Sequence, residues 1–344
     1  MRLCPAGMSL PNRRRRVPRT RLVLAGASVL AALFAAGCAN SGAGTGASST
    51  IKIAAVPGIA DAPIYLAQRD GLFAAAGLNV QIKNYSNDAA ELAALQSGQV
   101  DVAASDYGTI FAAEEQQASP DLRILADGYD ATSGALAVLT MPGSTITTPL
   151  ALEGQRIGVP SYDALSNGPA LHPISLESVA ANQALFSYLS ANSNTVTWVP
   201  MSQKAELTAL RTGQLKAILV GEPYIYLAES QLGAVQVLDA ASGSTANLPL
   251  SGYVAIGAWV KANGAAVAAF KSALGRAQSD AAMAGPIQQT LQTSAGMTQE
   301  EASMVTIGTF PTSTNASDLD RVTRLMVEAS LLKSAPNVAQ MIVR

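Results

Sequence analysis

The sequence predicts an α/β protein of two similar lobes followed by a helical C-terminal region, and three observations carry that expectation. From Ile51 onward, short apolar strands alternate with helical patterns, the rhythm of a mainly parallel sheet covered by helices on both faces. One pattern is written twice: Ala90 to Gln99 reads AELAALQSGQ, and 115 positions later Ala205 to Gln214 reads AELTALRTGQ. Each copy runs into an apolar strand, VDVAAS or LKAILV, and then a turn with an acid and a tyrosine, Ser105-Asp106-Tyr107 or Gly221-Glu222-Pro223-Tyr224. Between the copies, a Pro/Gly/Thr linker from Pro142 to Pro149 precedes a fresh start at Leu152 to Val159, LEGQRIGV. Each copy is therefore read as the helix-strand centre of one lobe.

The first 37 residues stand apart from this pattern. They hold seven arginines and no acid, and they end in the apolar run Leu22 to Ala36. At 15 residues the run is short for a membrane span of about 20 and suits the core of a signal peptide. It closes in Ala35-Ala36-Gly37-Cys38, which looks like a bacterial lipobox, with Cys38 lipidated and left as the first residue of the mature chain. Cys4 and Cys38 are the only cysteines, so the body has no disulfide and the placement of Cys38 reads as an anchor. Residues 1–37 are thus expected to be a lipoprotein signal peptide and 38–50 a flexible tether. The tether sequence Asn40 to Thr50, NSGAGTGASST, would reach roughly 20 Å from the anchor. Without the leader arginines, 15 basic residues face 24 acidic ones, a net charge of -9. An acidic body with no basic run offers no footing for phosphate backbones, so nucleic acid is excluded as a partner.

Within the body, Ile51 to Val56 is a buried-type strand, Gly58 to Ala62 turns, and Pro63 opens a helix that runs through Ala67 before Gly71 interrupts it. Leu78 to Ile82 is the second strand. Asn87 or Asp88 caps the first repeat helix and Gly98 ends it, because glycine tolerates the left-handed conformation found there. Strand Val100 to Ala104, helix Asp106 to Ala118 and strand Leu122 to Ala126 follow, then strand Ala135 to Thr140. The second lobe is expected to hold a helix at Glu177 to Ser190, a strand at Thr195 to Val199, the second repeat helix and a strand at Lys216 to Val220. A helix then opens at Glu222-Pro223, and Val235 to Leu238 is the next strand. Tyr253 to Val260, YVAIGAWV, reads as a strand returning beside Ala135 to Thr140. The tail, Gly264 to Arg344, is largely helical, with starts at Thr298 and Ser317. The first lobe is accordingly assigned 51–135 and 256–344 and the second 136–255. Their two chain crossings suit a hinge.

Several of these segments resemble the bacterial solute-binding proteins of the nitrate, sulfonate, taurine and thiamine-precursor group. The residues that carry the resemblance are Ala62 to Phe73 (APIYLAQRDGLF) before Gly77-Leu78-Asn79-Val80, then Leu95 to Asp101 (LQSGQVD), Leu152 to Val159, and Leu210 to Pro223 around Gly213 and Glu222-Pro223. The resemblance spans about Ile51 to Lys261. It implies a two-lobed type II periplasmic-binding fold that closes on a small molecule and delivers it to an ABC permease and its ATPase. It further implies a monomer with no cofactor or metal, held by its lipid on the extracytoplasmic face of the cell membrane. One departure stands out: where many members continue from a Gly/Ser-rich turn directly into a helix, this chain has Pro160-Ser161-Tyr162-Asp163 and then a loop, Ala164 to Ser175.

Open α/β sheets bind ligands at the carboxyl ends of their strands, where helix N-termini present free N–H groups. That rule selects Gly58, Ile59, Ala60 and Asp61 after the first strand, Ser86 and Asn87 after the second, Ser105, Asp106 and Tyr107 after the third, and Asp130 and Thr132 after the fourth. From the second lobe it selects Ser161, Tyr162 and Asp163, then Glu222 and Tyr224. Asp61, Asn87 and Asp106 have a second reading as helix caps, and Tyr65 and Phe73 read as core. Among these candidates are five carboxylates and no Lys or Arg. The balance leans towards a neutral or cationic nitrogen-containing ligand, such as an aminopyrimidine or another heterocycle.

Catalytic readings have less support. His172 is the only histidine, and G-x-S-x-G, P-loop and C-x-x-C motifs are absent. The rivals kept open are an enzyme on the same fold, of the menaquinone-pathway kind, and a ligand-sensing lipoprotein without transport.

Overall fold

The computed structural model describes residues 49–116, 121–160, 175–188 and 196–344. The expected signal peptide and Cys38, the candidates Ser161, Tyr162 and Asp163, and His172 lie outside the described residues. The chain begins with β1 (Ser49–Ala55), α1 (Ala62–Arg69), α2 (Leu72–Ala75), β2 (Leu78–Asn84), α3 (Asp88–Gln96), β3 (Val102–Asp106), α4 (Tyr107–Glu115) and β4 (Leu122–Ala131). It continues with β5 (Leu136–Thr140), β6 (Arg156–Pro160), α5 (Leu176–Phe186), β7 (Thr197–Met201), α6 (Gln203–Thr212), β8 (Ala217–Gly221), α7 (Tyr224–Leu232) and β9 (Val235–Asp239). The last stretch is β10 (Leu248–Ile256), α8 (Gly257–Ala262), α9 (Gly264–Ala281), α10 (Ala284–Ser294), α11 (Gln299–Met304), α12 (Ala316–Glu328) and α13 (Val338–Met341). Among the described residues no helix is long and apolar enough to cross a membrane.

Two five-stranded sheets form, in the orders β2-β1-β3-β10-β4 and β7-β6-β8-β5-β9. The orders are the same once β6 to β9 are laid on β1 to β4. In each, the first strand runs parallel to its two neighbours, and the strand that arrives by a crossing, β10 or β5, inserts antiparallel. The register agrees with the sequence repeat: Ile53 pairs with Val102 in one sheet and Ile157 with Ala217 in the other, and Val102 and Ala217 are 115 positions apart.

This topology corrects one expectation. The strand predicted at Tyr253 to Val260 begins at Leu248 and lies between β3 and β4, while β5 lies between β8 and β9, so the two do not pair. Residues 248–255, placed in the second lobe by the sequence, hydrogen-bond in the first sheet, and Gly257–Ala262 is helical. A strand buried on both faces reads as a continuous apolar run whichever sheet receives it, so the run itself does not name its neighbours.

Local signals hold at the repeat helices. Gly98 and Gly213 follow them with φ of +72° and +73°, the left-handed conformation that ends a helix at little cost when no Cβ is present. Thr298 forms a capping box with Glu301 at α11, and Asn315 caps α12. The tail helices thicken the first lobe: Phe270 of α9 stacks on Phe73 with ring centroids 5.9 Å apart and meets Tyr253 edge-on at 6.1 Å.

The two crossings run side by side. Ser133 Oγ and the Gly134 N–H of the first both donate to Asp239 Oδ2, at 2.5 and 3.2 Å, and the Ala240 N–H of the second donates to the Leu136 carbonyl at 2.9 Å. One half-buried carboxylate thus ties both crossing segments together.

Candidate functional site

At the carboxyl ends of β1, β3, β6 and β8 the two sheets enclose a cavity of about 200 Å³. The first lobe contributes Gly58, Ile59, Asp61, Asp88, Asp106 and Tyr129, with Ser251 from β10; the second contributes Pro160, Glu177, Gln203, Gly221 and Glu222. Of the sequence candidates, Ile59, Asp61, Asp106 and Glu222 line it, with Gly58 and Ala60.

Each of the three acids is held by backbone. Asp61 occupies the cap position of α1 without a capping bond; its Oδ2 accepts from the Val56 N–H at 2.8 Å and closes the β1–α1 turn. Burial, at 6% exposure, raises its carboxyl pKa to about 7, against the opposing pull of that N–H. Asp106 does cap: its Oδ1 accepts from the Thr109 N–H at 2.9 Å, and its own N–H donates to Asp88 Oδ1 at 2.8 Å. Glu222 accepts from the Tyr226 N–H through Oε2 at 3.1 Å and from the Thr306 N–H through Oε1 at 2.9 Å. It therefore joins α7 of the second lobe to the segment after α11, and burial raises its pKa while both N–H bonds pull it down.

Other candidates are placed elsewhere. Asn87 caps α3, accepting from the Ala90 N–H at 2.8 Å. Ser105 is buried, with its hydroxyl 3.5 Å from the Asp88 carbonyl. Tyr107 is fully buried and donates to Asp127 Oδ1 at 2.8 Å, with its ring stacked on Phe111. Asp130 and Thr132 do not line the cavity, and the Asp130 backbone pairs with Thr309. Tyr224 lines a separate groove of about 330 Å³ between α6 and α7, beside Lys204 and Arg211. Of the two acid-tyrosine turns that follow the repeats, only Asp106 and Glu222 therefore reach the cavity. The reason is helical geometry: Tyr107 and Tyr224 are the first residues of their helices, and each successive residue of a helix is rotated by about 100° from the one before.

Sequence reasoning missed Asp88, Tyr129, Glu177, Gln203 and Ser251 as lining residues. A signal existed for two of them. Asp88 and Gln203 are the first residues of α3 and α6, again 115 positions apart, so extending the repeat two residues towards its N-terminus reaches the cavity wall. Tyr129 and Ser251 lie on strands that pair with each other, and the misplacement of β10 hid them.

The charged side chains of the cavity wall are all acidic. Burial first, then the charge of Asp61, raises the Asp88 carboxyl pKa to about 7, with Glu177 adding to the rise. Behind them, Glu91 is fully buried with no hydrogen-bond partner on either oxygen, and Glu206, its counterpart in the second repeat, is in the same state. Burial drives both pKa values upward; the charges of Asp61, Asp88 and Asp106 add to the effect at Glu91, and Glu177 adds at Glu206. Burial of this kind favours the protonated form. Among the described lining residues there is no Lys, Arg, His or Cys.

The family model described as NMT1/THI5 like matches residues 60–289. No curated protein matches the sequence. Among solved structures, the periplasmic aliphatic sulphonate binding protein SsuA from Escherichia coli superposes with a TM-score of 0.68 at 16% identity, covering 86% of this chain and 97% of that one. The alkanesulfonate-binding protein SsuA from Xanthomonas axonopodis pv. citri, bound to MOPS, gives 0.65 at 18% identity, covering 86% and 98%. The desulfurization enzyme DSZB gives 0.63 at 16% identity, covering 86% and 96%. At these identities the likeness is one of fold, and the fold is the two-lobed type II periplasmic-binding arrangement.

Proposed function

The chain belongs to the NMT1/THI5-like family, and on that premise we propose that it is the extracytoplasmic solute-binding component of an ABC importer, anchored to the cell membrane through a lipid on Cys38 and working as a monomer. The observation that carries this reading is the cavity itself: about 200 Å³ lying between two matched sheets and lined from both. A ligand seated there touches both lobes at once, so binding favours the arrangement in which the lobes meet, which a permease and its ATPase would sense. The cavity suits a small polar molecule. Its acidic lining favours a neutral or cationic nitrogen-containing ligand over nitrate or a sulfonate, since an anion would meet like charge with no counter-ion.

Native mass spectrometry of the protein purified from its own cells tests the reading in one measurement. The expected spectrum shows a chain beginning at a lipid-bearing Cys38 with one small molecule bound. That molecule should raise the melting temperature when added back to stripped protein, by mass action.

One observation favours a second reading. An enzyme, DSZB, shares this fold, and carboxyls titrating near 7, such as Asp61 and Asp88, suit general acid-base work. Turnover of the co-purified compound by the pure protein would select that reading over import.

A further inference from the structure

Five carboxylates line the cavity: Asp61, Asp88 and Asp106 from the first lobe, Glu177 and Glu222 from the second. Four of them accept backbone N–H groups: Asp61 from Val56, Asp88 from Asp106, Asp106 from Thr109, and Glu222 from Tyr226 and Thr306. Asp88 and Glu177 differ in position. Each stands in the first turn of a helix, α3 or α5, and the two helices belong to different lobes. Glu177 is near enough to Asp88 for its charge to raise the Asp88 carboxyl, so the lobes meet through like charges. The cleft is partly open to solvent, so that repulsion is screened in part, though less than between fully exposed groups. A second, independent feature marks the same wall as built for a ligand: Ser251 lines the cavity, is only 7% exposed, and its hydroxyl has no hydrogen-bond partner. A buried hydroxyl without a partner costs free energy unless a bound group satisfies it.

Resting on the solute-binding reading above, we infer that the ligand is an organic cation, an ammonium or amidinium, whose positive centre lies between Asp88 and Glu177 and whose remaining polar edge meets Ser251. The cation replaces a repulsion between the lobes with two attractions, so it acts as the element that holds them together. Asp61 and Asp106 supply further negative potential on the same side, and Gln203, the register equivalent of Asp88, contributes no charge.

A charge series on one shape provides the test: benzamidine, benzamide and benzoate, each at up to about 10 mM with the full chain, read by calorimetry and by thermal shift. Benzamidine is expected to bind, benzamide more weakly and benzoate not at all. Asp88→Asn keeps the acceptor for the Asp106 N–H, so the turn survives; it and Glu177→Gln should each weaken benzamidine at least tenfold. In the double variant the preference should move towards benzoate, an outcome that a merely structural role for these residues would not produce. Benzoate or methanesulfonate binding the wild type as tightly as benzamidine overturns the cation inference and leaves the solute-binding reading standing. Failure of benzamidine to bind also overturns the inference. Failure of the co-purified fraction to yield any bound molecule removes the solute-binding reading itself.

Discussion

Where the first lobe carries Asp88 and Asp106, the register-equivalent positions of the second lobe carry Gln203 and Gly221. Around those positions the lobes agree closely: Asn87 and Ser202 cap, Glu91 and Glu206 are buried, Leu95 and Leu210 enter the core, and Gly98 and Gly213 end the helices. The shared part is scaffold and the differing part is cavity wall. The same contrast extends to the helices that follow. Every residue from Tyr107 to Ala112 of α4 is buried, whereas α7 buries only Ile225 and Ala228. α4 is pressed against the second lobe: a Cβ at Gly108 would lie 2.8 Å from Asp106 Oδ1 and 3.4 Å from Leu176 Cβ. The two lobes thus share their strand order and divide the chemistry unequally, with charge concentrated on the first.

The buried glutamates test that inequality most severely. In the second lobe the Glu206 side chain crosses β6 where a Cβ on Gly158 would stand 3.1 Å from Glu206 Cγ, so its stem is packed while its carboxyl has no partner. Glu91 has the same isolation and faces three acids instead of one. Replacing an unpartnered buried carboxyl by an apolar side chain of similar length removes a desolvation cost of about 1–3 kcal/mol. Glu91→Met is expected to stabilise the protein by that amount in urea unfolding near neutral pH, and Glu206→Met by less. A larger gain at Glu206 would invert the comparison. Loss of stability in both would show that these carboxyls find partners in solution.

Next in size is the pH response, which is expected to arise mainly from the first lobe. Asp127 is raised to about 6, Asp61 and Asp88 to about 7 and Asp130 to about 8, all chiefly by burial. A folded-state pKa above the unfolded value means that the native state holds its proton more tightly. The stabilisation is complete below the unfolded value and is lost as pH rises through the folded one. The ligand-free protein should therefore melt at progressively lower temperature as pH rises from about 5 to about 8.5, by roughly 5 °C or more. Asp88→Asn should flatten the profile, while a change to the exposed Glu229 of the second lobe should leave it alone. A wild-type melting temperature that rises over this interval would contradict the burial of the first-lobe acids.

Much of this architecture was legible in the sequence, because a repeat fixes both local structure and register. The alternation of strands and helices, the glycines after the repeat helices, the Thr298 start and the two-lobed plan all rest on local chemistry. The fifth strand of each sheet was not legible. β10 is apolar apart from its central Ser251-Gly252 and fits between β3 and β4 as readily as beside β5, and only long-range pairing decides. The site was partly legible: the ends of strands gave Ile59, Asp61, Asp106 and Glu222, but the same rule also took in Tyr107 and Tyr224, which helical rotation turns into the core and into the α6–α7 groove. Asp88 and Gln203 were within reach of the repeat, had the two residues before it been compared.

The smallest effect separates scaffold from chemistry at those same helix starts. Asn87 Oδ1 accepts from the Ala90 N–H at 2.8 Å, and Ser202 Oγ from the Ala205 N–H at 3.3 Å. Loss of a cap costs about 1 kcal/mol where the bond is good and less where it is long. Asn87→Ala is expected to lower stability by about 1 kcal/mol and Ser202→Ala by roughly half of that, as read from urea midpoints at constant slope. The informative quantity is the affinity that accompanies each loss. Asp88 follows Asn87 directly, so a frayed α3 start misaims a carboxylate, whereas a frayed α6 start misaims only the Gln203 amide. Asn87→Ala should therefore weaken ligand binding more than its stability loss alone requires, and Ser202→Ala should not. Equal effects on binding from the two caps would mean that the lobes hold the ligand alike, and that the difference between Asp88 and Gln203 is not where recognition lies.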